Sequence, residues 1–291
     1  MPNEYLITLN KNNGTGGTES VNSSYDEALP NITVPTRTGY SFDGYFDTTS
    51  GGTLYYTSTG ISERNFDIAS DVTLYANWSA NKYTITLDKQ NGSGGTSEVY
   101  EKYETGYYAD SELTTPMTIS ANEITAPTRT GYNFGGYYTS ANGEGTQYID
   151  ADGVLTNNVS TTNFTEDGTL YAYWIPRVFR ITLDMQYGSE GTTEIYEKYD
   201  TGYYIDSDAT TQMTTSSNEI TLPSRTGYSF GGYYTSTDGE GTQYIDGSGR
   251  LTSSANTSNF DDVGTLYAKW TANTYTVTFN GNTGTVGTAS T

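Results

Sequence analysis

The chain repeats itself along most of its length. The stretch from Tyr83 to Val178 aligns without a gap with the stretch from Phe179 to Thr274, at a period of 96 residues, and about 60 of these positions are identical. A shorter copy runs from Tyr5 to Lys82, and a fourth copy opens at Tyr275. Repetition at this level predicts an array of one structural unit. Arrays suit functions that need reach, avidity or an extended surface more than functions that need one active site.

Each repeat opens with a strand pattern. In the second repeat the apolar residues Tyr83, Ile85 and Leu87 alternate with polar ones, which predicts one face toward a core and one toward solvent. The glycine-rich cluster from Asn91 to Gly95 then predicts a hairpin turn. No window has a sustained 3.6-residue period. Only short segments before the last strand, at 65–70, 163–167 and 259–262, suggest a helical turn. The fold is therefore predicted to be mainly β.

Two further motifs recur in every complete repeat. The middle reads Pro-x-Arg-Thr-Gly-Tyr-x-Phe-x-Gly-Tyr, in which proline and glycine predict a turn and the aromatic residues alternate along a strand. The end reads Leu-Tyr-Ala-x-Trp and supplies the three tryptophans of the chain. Large amphipathic rings must provide much of the buried area, because hydrophobic content is only 33% and 29 residues are tyrosine. The aromatic residues predicted to form the structural core are Trp78, Trp174, Trp270, Tyr40, Phe42, Tyr132, Phe134, Tyr228 and Phe230.

The repeats also predict the domain boundaries. Four residues separate each tryptophan from the first aromatic residue of the next repeat, and such short linkers predict a semi-rigid, elongated array. The second and third repeats carry insertions at Thr105–Glu123 and Thr201–Glu219 that the first repeat lacks. The expected domains are residues 1–79, 80–175 and 176–272, followed by residues 273–291 as the first strand of a truncated further repeat.

Composition excludes several classes of function. The net charge is -21, so a nucleic acid or an anionic membrane surface is not an expected partner. The chain has no cysteine and no histidine, so disulfides, thiolate chemistry and imidazole catalysis are absent, and we expect no cofactor and no metal. No window of 18 apolar residues predicts insertion into a membrane, and the first residues do not form a signal peptide. We interpret the sequence as an excerpt from a longer protein and expect it to be monomeric.

The three motifs together resemble the internalin-type B-repeat, also called the Listeria–Bacteroides repeat. In that family an opening strand with alternating aromatic and aliphatic residues is followed by Pro-x-Arg/Lys-x-Gly-Tyr-x-Phe-x-Gly-Trp/Tyr-Tyr and then by Leu-Tyr-Ala-x-Trp. All three motifs occur in this order in each complete repeat, although Tyr45, Tyr137 and Tyr233 stand where tryptophan is common. The resemblance implies β-grasp-like modules in tandem, within large secreted or surface-anchored bacterial proteins. Such repeats serve as stalks or as auxiliary adhesive segments.

A repeated tyrosine motif is the first candidate for ligand contact. Tyr107 and Tyr108 lie in a Lys-Tyr-Glu-Thr-Gly-Tyr-Tyr segment, and Tyr203 and Tyr204 lie in the matching segment of the third repeat. Clustered tyrosines can stack on sugar rings and donate hydrogen bonds, so a patch that binds a host or cell-wall glycan or protein is one interpretation. The alternative is packing of the rings over a small sheet. Their exposure to solvent distinguishes the two.

Charged residues in turns are the second group of candidates. Asp150 and Asp152 lie among glycines, which suggests calcium ligands, but the third repeat has serine in place of the second aspartate, and a turn capped by aspartate is the alternative. Arg37, Arg129 and Arg225 recur in the middle motif, where they can pair with local carboxylates, cap strand-end carbonyls or face a partner. Carboxylates are too frequent in this chain to indicate a glycosidase, and we predict no catalytic residues.

The sequence thus gives two hypotheses of different classes. The first is a non-catalytic stalk of an extracellular protein on the bacterial surface or in the medium, which holds a distal domain away and adds weak avidity. The second is an adhesive module that binds glycans or glycoproteins through the repeated tyrosines.

Overall fold

The protein is built almost entirely of β-sheet in a computed structural model that describes residues 3–258, 260, 262–280 and 282. The described residues form three sheets, one in each complete repeat, which confirms the predicted mainly β fold in tandem. The first sheet contains β1 (Glu4–Asn10), β2 (Ser20–Ser24), β3 (Tyr40–Phe46), β4 (Leu54–Thr57) and β5 (Val72–Ala80).

The other two sheets have six strands each. The second contains β6 (Lys82–Asp88), β7 (Glu98–Lys102), β8 (Gly106–Tyr108), β9 (Tyr132–Tyr138), β10 (Gln147–Ile149) and β11 (Gly168–Pro176). The third contains β12 (Val178–Asp184), β13 (Glu194–Lys198), β14 (Gly202–Tyr204), β15 (Tyr228–Tyr234), β16 (Gln243–Asp246) and β17 (Gly264–Ala272). The extra strands β8 and β14 belong to the insertions. Two short 3₁₀ turns, Ala141–Gly143 and Thr237–Gly239, are the helical elements of the described residues.

The strand order is the same in all three sheets. The first sheet runs β2-β1-β5-β3-β4, the second β10-β9-β11-β6-β7-β8, and the third β14-β13-β12-β17-β15-β16. In each sheet the first and last strands of the repeat are central neighbours and run parallel, while the other pairs with a described register are antiparallel. The middle strand with the Gly-Tyr-x-Phe motif then pairs with the last strand.

The aromatic core is centred on residues that the sequence analysis did not select. Tyr45, Tyr137 and Tyr233 are fully buried, whereas Phe42 and Trp78 pack at the edge of the first core as half-buried side chains. Trp174 is buried; Trp270, Phe134, Phe230, Tyr40 and Tyr132 are half-buried. Tyr228 lies outside the core with 37% of its surface exposed, so its predicted core position is wrong.

A bulge in the middle strand explains this shift of the core. Between Phe42 and Gly44 the pairing of β3 with β5 slips, and Gly44 has a φ of +137°. An extra residue reverses the alternation of side chains beyond it. Tyr45 therefore points to the same core as Phe42, although the two residues are three positions apart, and their rings meet edge to face at 5.2 Å.

Two other predictions differ from the structure. The segments 65–70 and 163–167 contain no helical turn, and the third predicted segment, 259–262, lies partly outside the described residues. Residues 273–280 form no strand, and Tyr275, Val277 and Phe279 are exposed. In the complete repeats the opening strand is held between two neighbours, and no described residue supplies either neighbour here. Most of the remaining predicted segment, from residue 281 onward, lies outside the described residues.

The chain forms two compact units. One contains the described residues up to Arg129 together with Phe134–Trp174, and the other contains Thr130–Asn133 together with the described residues from Ile175 onward. The first unit thus includes the whole first sheet and most of the second. The boundaries expected at residues 79/80 and 175/176 stay predictions.

Candidate functional site

The parallel pair of first and last strands is fastened at one end by an aspartate. In the first repeat the Leu6 N–H donates to Asp71 Oδ1 at 2.8 Å, and in the second the Thr84 N–H donates to Asp167 Oδ1 at 2.8 Å. Both aspartates stand just before the last strand. The aspartate side chain therefore adds one hydrogen bond to the pair of strands just before their backbone hydrogen bonds begin. In the third repeat Val263 stands at this position.

The tryptophan fastens the opposite end of the same pair. The indole N–H of Trp174 donates to the Lys89 carbonyl at 2.9 Å, just after the opening strand β6. Trp78 and Trp270 make the same bond to Lys11 and Met185, at 3.1 Å and 2.8 Å. The ring also fixes the glycine of the following turn, because a Cβ on Gly92 would lie 2.4 Å from the Trp174 ring. We call the parallel pair with its two side-chain bonds the strand clamp.

A second cluster joins the first repeat to the second within the first compact unit. The ring of Tyr103 covers Gly39, where a Cβ would come within 2.2 Å of it, and meets Tyr40 edge to face at 5.7 Å. The Tyr40 hydroxyl donates to Glu104 at 2.5 Å, and Arg37 approaches the same carboxylate at 3.6 Å. This bond to the Glu104 carboxylate raises the pKa of the Tyr40 hydroxyl.

We call the Arg-Thr-Gly-Tyr segment of this cluster the docking turn and the Tyr-Glu or Tyr-Asp pair the tyrosine–acid turn. The same contacts occur inside the second compact unit, where Tyr199 covers Gly131 and Tyr132 donates to Asp200 at 2.8 Å. The rings of Tyr132 and Tyr199 again meet edge to face, at 5.6 Å. The recurring arginine does not make the same contact in every repeat: Arg37 pairs with Glu104 of the following repeat. Arg129 and Arg225 instead donate to the Gln90 and Gln186 carbonyls, at 3.5 Å and 3.3 Å, just after the opening strand.

The candidate tyrosine pairs are mostly buried. Tyr107, Tyr203 and Tyr204 are buried, and Tyr108 is half-buried. This burial favours packing, the alternative that the sequence left open, over a flat patch of exposed rings. Contact with a ligand through these residues stays a prediction.

Behind one of these tyrosines lies a buried carboxylate that the sequence analysis missed. Glu101 is fully buried, and its Oε2 accepts the Tyr107 hydroxyl at 2.7 Å and the Phe164 N–H at 3.2 Å. Its Oε1 has no hydrogen-bond partner among the described residues. Burial raises the pKa of the Glu101 carboxyl, although the two bonds oppose this shift. The alternation of Val99 and Glu101 in strand β7, continued by Tyr103 just after it, was the available signal for an inward-facing charge.

Each insertion forms one side of an open groove. In the second repeat the groove has a volume of about 340 Å3 and is lined by Tyr107, Met117, Ile119 and Leu155, among others. In the third repeat the matching groove has a volume of about 370 Å3. The edge of Tyr107 therefore faces a groove even though most of its ring is buried. Ile119 at the rim is 62% exposed.

The aspartates considered as calcium ligands cap turns. Asp150 Oδ1 accepts the N–H groups of Asp152 at 3.0 Å and Val154 at 2.9 Å, and Asp246 accepts those of Ser248 and Arg250 in the same way. No group of three acidic side chains that could hold a metal ion occurs within the described part of the chain. The geometry is that of an aspartate-capped turn.

Comparison with known proteins gives one family for the whole array. The Listeria-Bacteroides repeat domain matches residues 5–77, 83–173 and 187–269, that is, most of each complete repeat. Each match lies within one complete repeat, and the third begins after the opening strand β12.

The similar proteins are much longer than this chain. A Gly-rich membrane protein of Evansella cellulosilytica is 30% identical over 249 residues, which is 85% of this chain and 24% of that protein. A second membrane protein of the same organism is 26% identical over 96% of this chain and 34% of its own length. Internalin H of Listeria monocytogenes is 32% identical over 48% of this chain and 21% of its own length. The chain thus spans about a third or less of the curated relatives it matches. Among the described residues no helix is long and apolar enough to cross a membrane.

Proposed function

The chain belongs to the Listeria–Bacteroides repeat family, and from this we propose that it is a force-bearing spacer of a bacterial cell-surface or secreted protein. Its role is non-catalytic: it holds a distal domain away from the anchor point and adds weak avidity along the array. The single observation that carries this proposal is the strand clamp, in which the first and last strands of each repeat pair in parallel.

Parallel pairing decides how a repeat responds to tension. Because β1 and β5 run in the same direction, the start of β1 and the end of β5 lie at opposite ends of the pair. A pull on the two ends of the repeat slides one strand along the other, so all the hydrogen bonds between them are loaded together. A hairpin pulled at its open end breaks its bonds one after another. The clamp bonds of Asp71 and Trp78 add to the set that must break together.

The linkage between repeats supports the same role. Within the first unit only Asn81 separates β5 from β6, and its N–H donates to the Gly39 carbonyl at 2.9 Å. The Tyr103 N–H then donates to the Asn81 carbonyl at 3.0 Å. The residue that links the two sheets is therefore bound on both sides, which limits bending between them.

Single-molecule pulling of the full chain by its two ends tests the proposal. We expect three separate force drops, one for each sheet, each releasing on the order of 300 Å of chain. Forced unfolding follows the unfolding rate, so the height of each drop reports the barrier of one repeat. A chain that lengthens smoothly, without force drops, would contradict a force-bearing role.

A variant inside the second repeat sharpens this test. Asp167→Val removes the carboxylate that binds Thr84 and introduces the residue that the third repeat carries at Val263. We expect one of the three force drops to fall while equilibrium stability changes by about 1 kcal/mol or less, since the lost bond is solvent-exposed. A matched change at exposed Glu166, the preceding residue, should leave all three drops unchanged.

Adhesion is a second candidate function, favoured by the two matching grooves of the insertions. They repeat at the same position in two sheets and are lined by apolar side chains beside threonines. A screen of the full chain against glycans and matrix proteins tests this role, with the rim variant Ile119→Asp/Thr215→Asp in parallel. A specific signal that this variant loses, and that the control Ile61→Asp in the first repeat keeps, would assign adhesion to the grooves. Equal binding by all three proteins would exclude them.

A further inference from the structure

The first repeat has a polar pocket beside its tryptophan. The pocket has a volume of about 240 Å3, and its lining includes Asn12, Arg37, Asp43, Ser50, Asn77 and Trp78. Every residue that lines it belongs to the first repeat and to the first compact unit. Apart from the indole, the side chains in this set are polar or charged. The pocket is therefore a built feature of one repeat, with a polar wall and one aromatic ring.

Side chains fill the same space in the other two repeats. The position of Asn77 is taken by Tyr173 in the second repeat and by Lys269 in the third. The Tyr173 ring lies over Gly143, where a Cβ would come within 2.8 Å of it. The Lys269 side chain occupies the place of a Cβ on Gly239 in the same way. The pocket therefore exists because the first repeat carries a short amide where the others carry a long side chain.

A second difference between the repeats adds a carboxylate to this pocket. Asp43 lies in the bulge of β3, where the other repeats have Gly135 and Gly231. Its Oδ2 accepts the Ser79 hydroxyl at 2.8 Å, which holds the exposed carboxylate in place. In the third repeat the Lys269 side chain passes 3.4 Å from a Cβ placed on Gly231. Both positions that distinguish the pocket thus differ from the other repeats, and both supply polar groups to its wall.

Several polar groups of the pocket are held in place but are still able to bind. Asn77 Oδ1 is buried and has no hydrogen-bond partner among the described residues, and buried polar atoms normally have one. Arg37 lies 3.6 Å from the Glu104 carboxylate, which is longer than a hydrogen bond, so its N–H groups can donate to a ligand. Asn12 Nδ2 donates to the Ala76 carbonyl at 3.1 Å, which fixes this amide against the wall.

We propose that this pocket binds one uncharged sugar ring. Sugar hydroxyls both donate and accept hydrogen bonds, as a wall that mixes a guanidinium, a carboxylate and amides requires. The carboxylate of Asp43 disfavours an anion, the guanidinium of Arg37 disfavours a cation, and the Trp78 ring supplies an apolar side. A volume of about 240 Å3 equals the space of about eight water molecules, which suits one ring. Sites for drug-sized ligands are larger, at roughly 300–1,000 Å3.

This site is separate from the surfaces already discussed. The two grooves lie in the second and third repeats, and neither Tyr107 nor Tyr203 lines the pocket. Sugar binding by the first repeat therefore goes beyond the spacer role and beyond adhesion through the grooves. If the pocket fails to bind, both of those proposals still stand on their own tests.

The three tryptophans of the full chain provide the readout. Each complete repeat has one, so the three indole N–H signals in two-dimensional proton–nitrogen NMR spectra report on three repeats separately. Replacing each tryptophan by phenylalanine in turn assigns the signals. The methyl glycosides of glucose, galactose, mannose and N-acetylglucosamine are added up to about 50 mM, to detect dissociation constants near about 1 mM. We expect at least one of them to shift the Trp78 signal to saturation and to leave the Trp174 and Trp270 signals in place.

Two exchanges between repeats serve as test variants. Asn77→Tyr introduces the residue of the second repeat, and Asp43→Gly introduces the residue that both other repeats carry. Each should lose the sugar-dependent shift of the Trp78 signal. Asn22→Tyr makes a matched change at an exposed position of β2 and should respond like the wild type. Circular dichroism of each variant checks that it is folded.

Sodium sulfate at matched ionic strength tests for an anion site instead. A Trp78 signal that moves with sulfate and with none of the sugars would overturn the proposal. So would a signal that stays fixed with every sugar, one that moves together with those of Trp174 and Trp270, or one that responds in Asn77→Tyr and Asp43→Gly as it does in the wild type.

Discussion

Replacing Trp174 with alanine tests the strand clamp and the core together. Trp174 is 7% exposed, its ring meets Phe134 at 5.6 Å, and its indole N–H is bonded to the Lys89 carbonyl. Removing a buried aromatic side chain costs about 3–5 kcal/mol, which includes the transfer of the ring from water and the cavity it leaves. The lost indole bond contributes about 1 kcal/mol of that sum and the ring pair a similar amount. The total is a large share of the roughly 5–15 kcal/mol that stabilises a small domain.

Amide hydrogen exchange gives the readout repeat by repeat. Peptides from β6 and β11 report opening of the second sheet, and peptides from β12 and β17 report the third. We expect the opening free energy of the first pair to fall by about 3–5 kcal/mol in Trp174→Ala. The second pair should change little, because the indole bond and the Phe134 contact both lie in the second repeat.

Two further variants separate the indole bond from the ring. Trp174→Phe keeps an aromatic ring and loses the N–H, so we expect a loss of about 1–2 kcal/mol. Ile175→Ala alters a neighbouring side chain that is 44% exposed and should stay within about 0.5 kcal/mol of the wild type. If Trp174→Ala exchanged like Ile175→Ala, the assignment of Trp174 to the core and to the clamp would be wrong.

Three other changes are expected to have distinct effects. Burial raises the folded-state pKa of the Glu101 carboxyl above 4.5, so the wild type loses stability as pH rises through the raised pKa. Glu101→Gln has no carboxyl to ionise there. Its free energy of unfolding in urea should therefore rise relative to that of the wild type between acidic and neutral pH. Tyr137→Phe removes a buried hydroxyl that has no hydrogen-bond partner among the described residues. The free energy of unfolding from urea titration should therefore stay the same or rise by up to about 1 kcal/mol. Gly39→Ala and Gly227→Ala both place a side chain at a positive φ, but only the Cβ at position 39 would clash with Tyr103. Thermal unfolding should therefore show a loss of stability about 1–3 kcal/mol larger for Gly39→Ala than for Gly227→Ala. Equal losses would argue against the contact of Tyr103 with the docking turn.

The sequence predicted the strands where one period dominates. The alternation of Tyr83, Ile85 and Leu87 places three buried side chains on one face of β6, and the structure buries all three. The glycine-rich hairpin turn and the last strand with its tryptophan follow from equally local signals. Family membership could also be predicted from the sequence, because three motifs in a fixed order are specific to one kind of repeat, and the family match confirms it.

Alternation failed where the backbone departs from a regular strand. The bulge at Gly44 reverses the phase of β3, so the fully buried tyrosine is Tyr45 rather than Tyr40. A glycine inside an aromatic strand signals a bulge without fixing which side chain turns inward. Tyr228 shows the same limit: its position in the motif matches Tyr40, yet exposure depends on whether a tyrosine–acid turn covers it.

Strand order and the contacts between repeats could not be predicted from the sequence. Nothing in a linear pattern states that the first and last strands pair in parallel, since this pairing joins residues more than 60 positions apart, such as Ile7 and Val72. The sequence suggested that the recurring arginine pairs with a local carboxylate, caps a strand-end carbonyl or faces a partner, and Arg129 and Arg225 do contact such carbonyls. The carboxylate that Arg37 contacts, Glu104, belongs to the following repeat and could be identified only from the folded chain.

Pulling the same first repeat in two directions tests whether the strand clamp bears force. Cysteines at Glu4 and Ala80 attach handles to the start of β1 and the end of β5, and the pull then shears the parallel pair. Cysteines at Glu4 and Ser24 attach them to two residues that face each other at the open end of the β1–β2 hairpin. The chain has no cysteine of its own, so each attachment is unique.

We expect a clearly higher unfolding force for the Glu4/Ala80 pair than for the Glu4/Ser24 pair at the same pulling speed. Shear loads the clamp bonds of Asp71 and Trp78 together with the backbone ladder, whereas the hairpin opens bond by bond. Equal forces in the two directions would show that the strand clamp does not govern resistance to tension, and the force-bearing role would be contradicted.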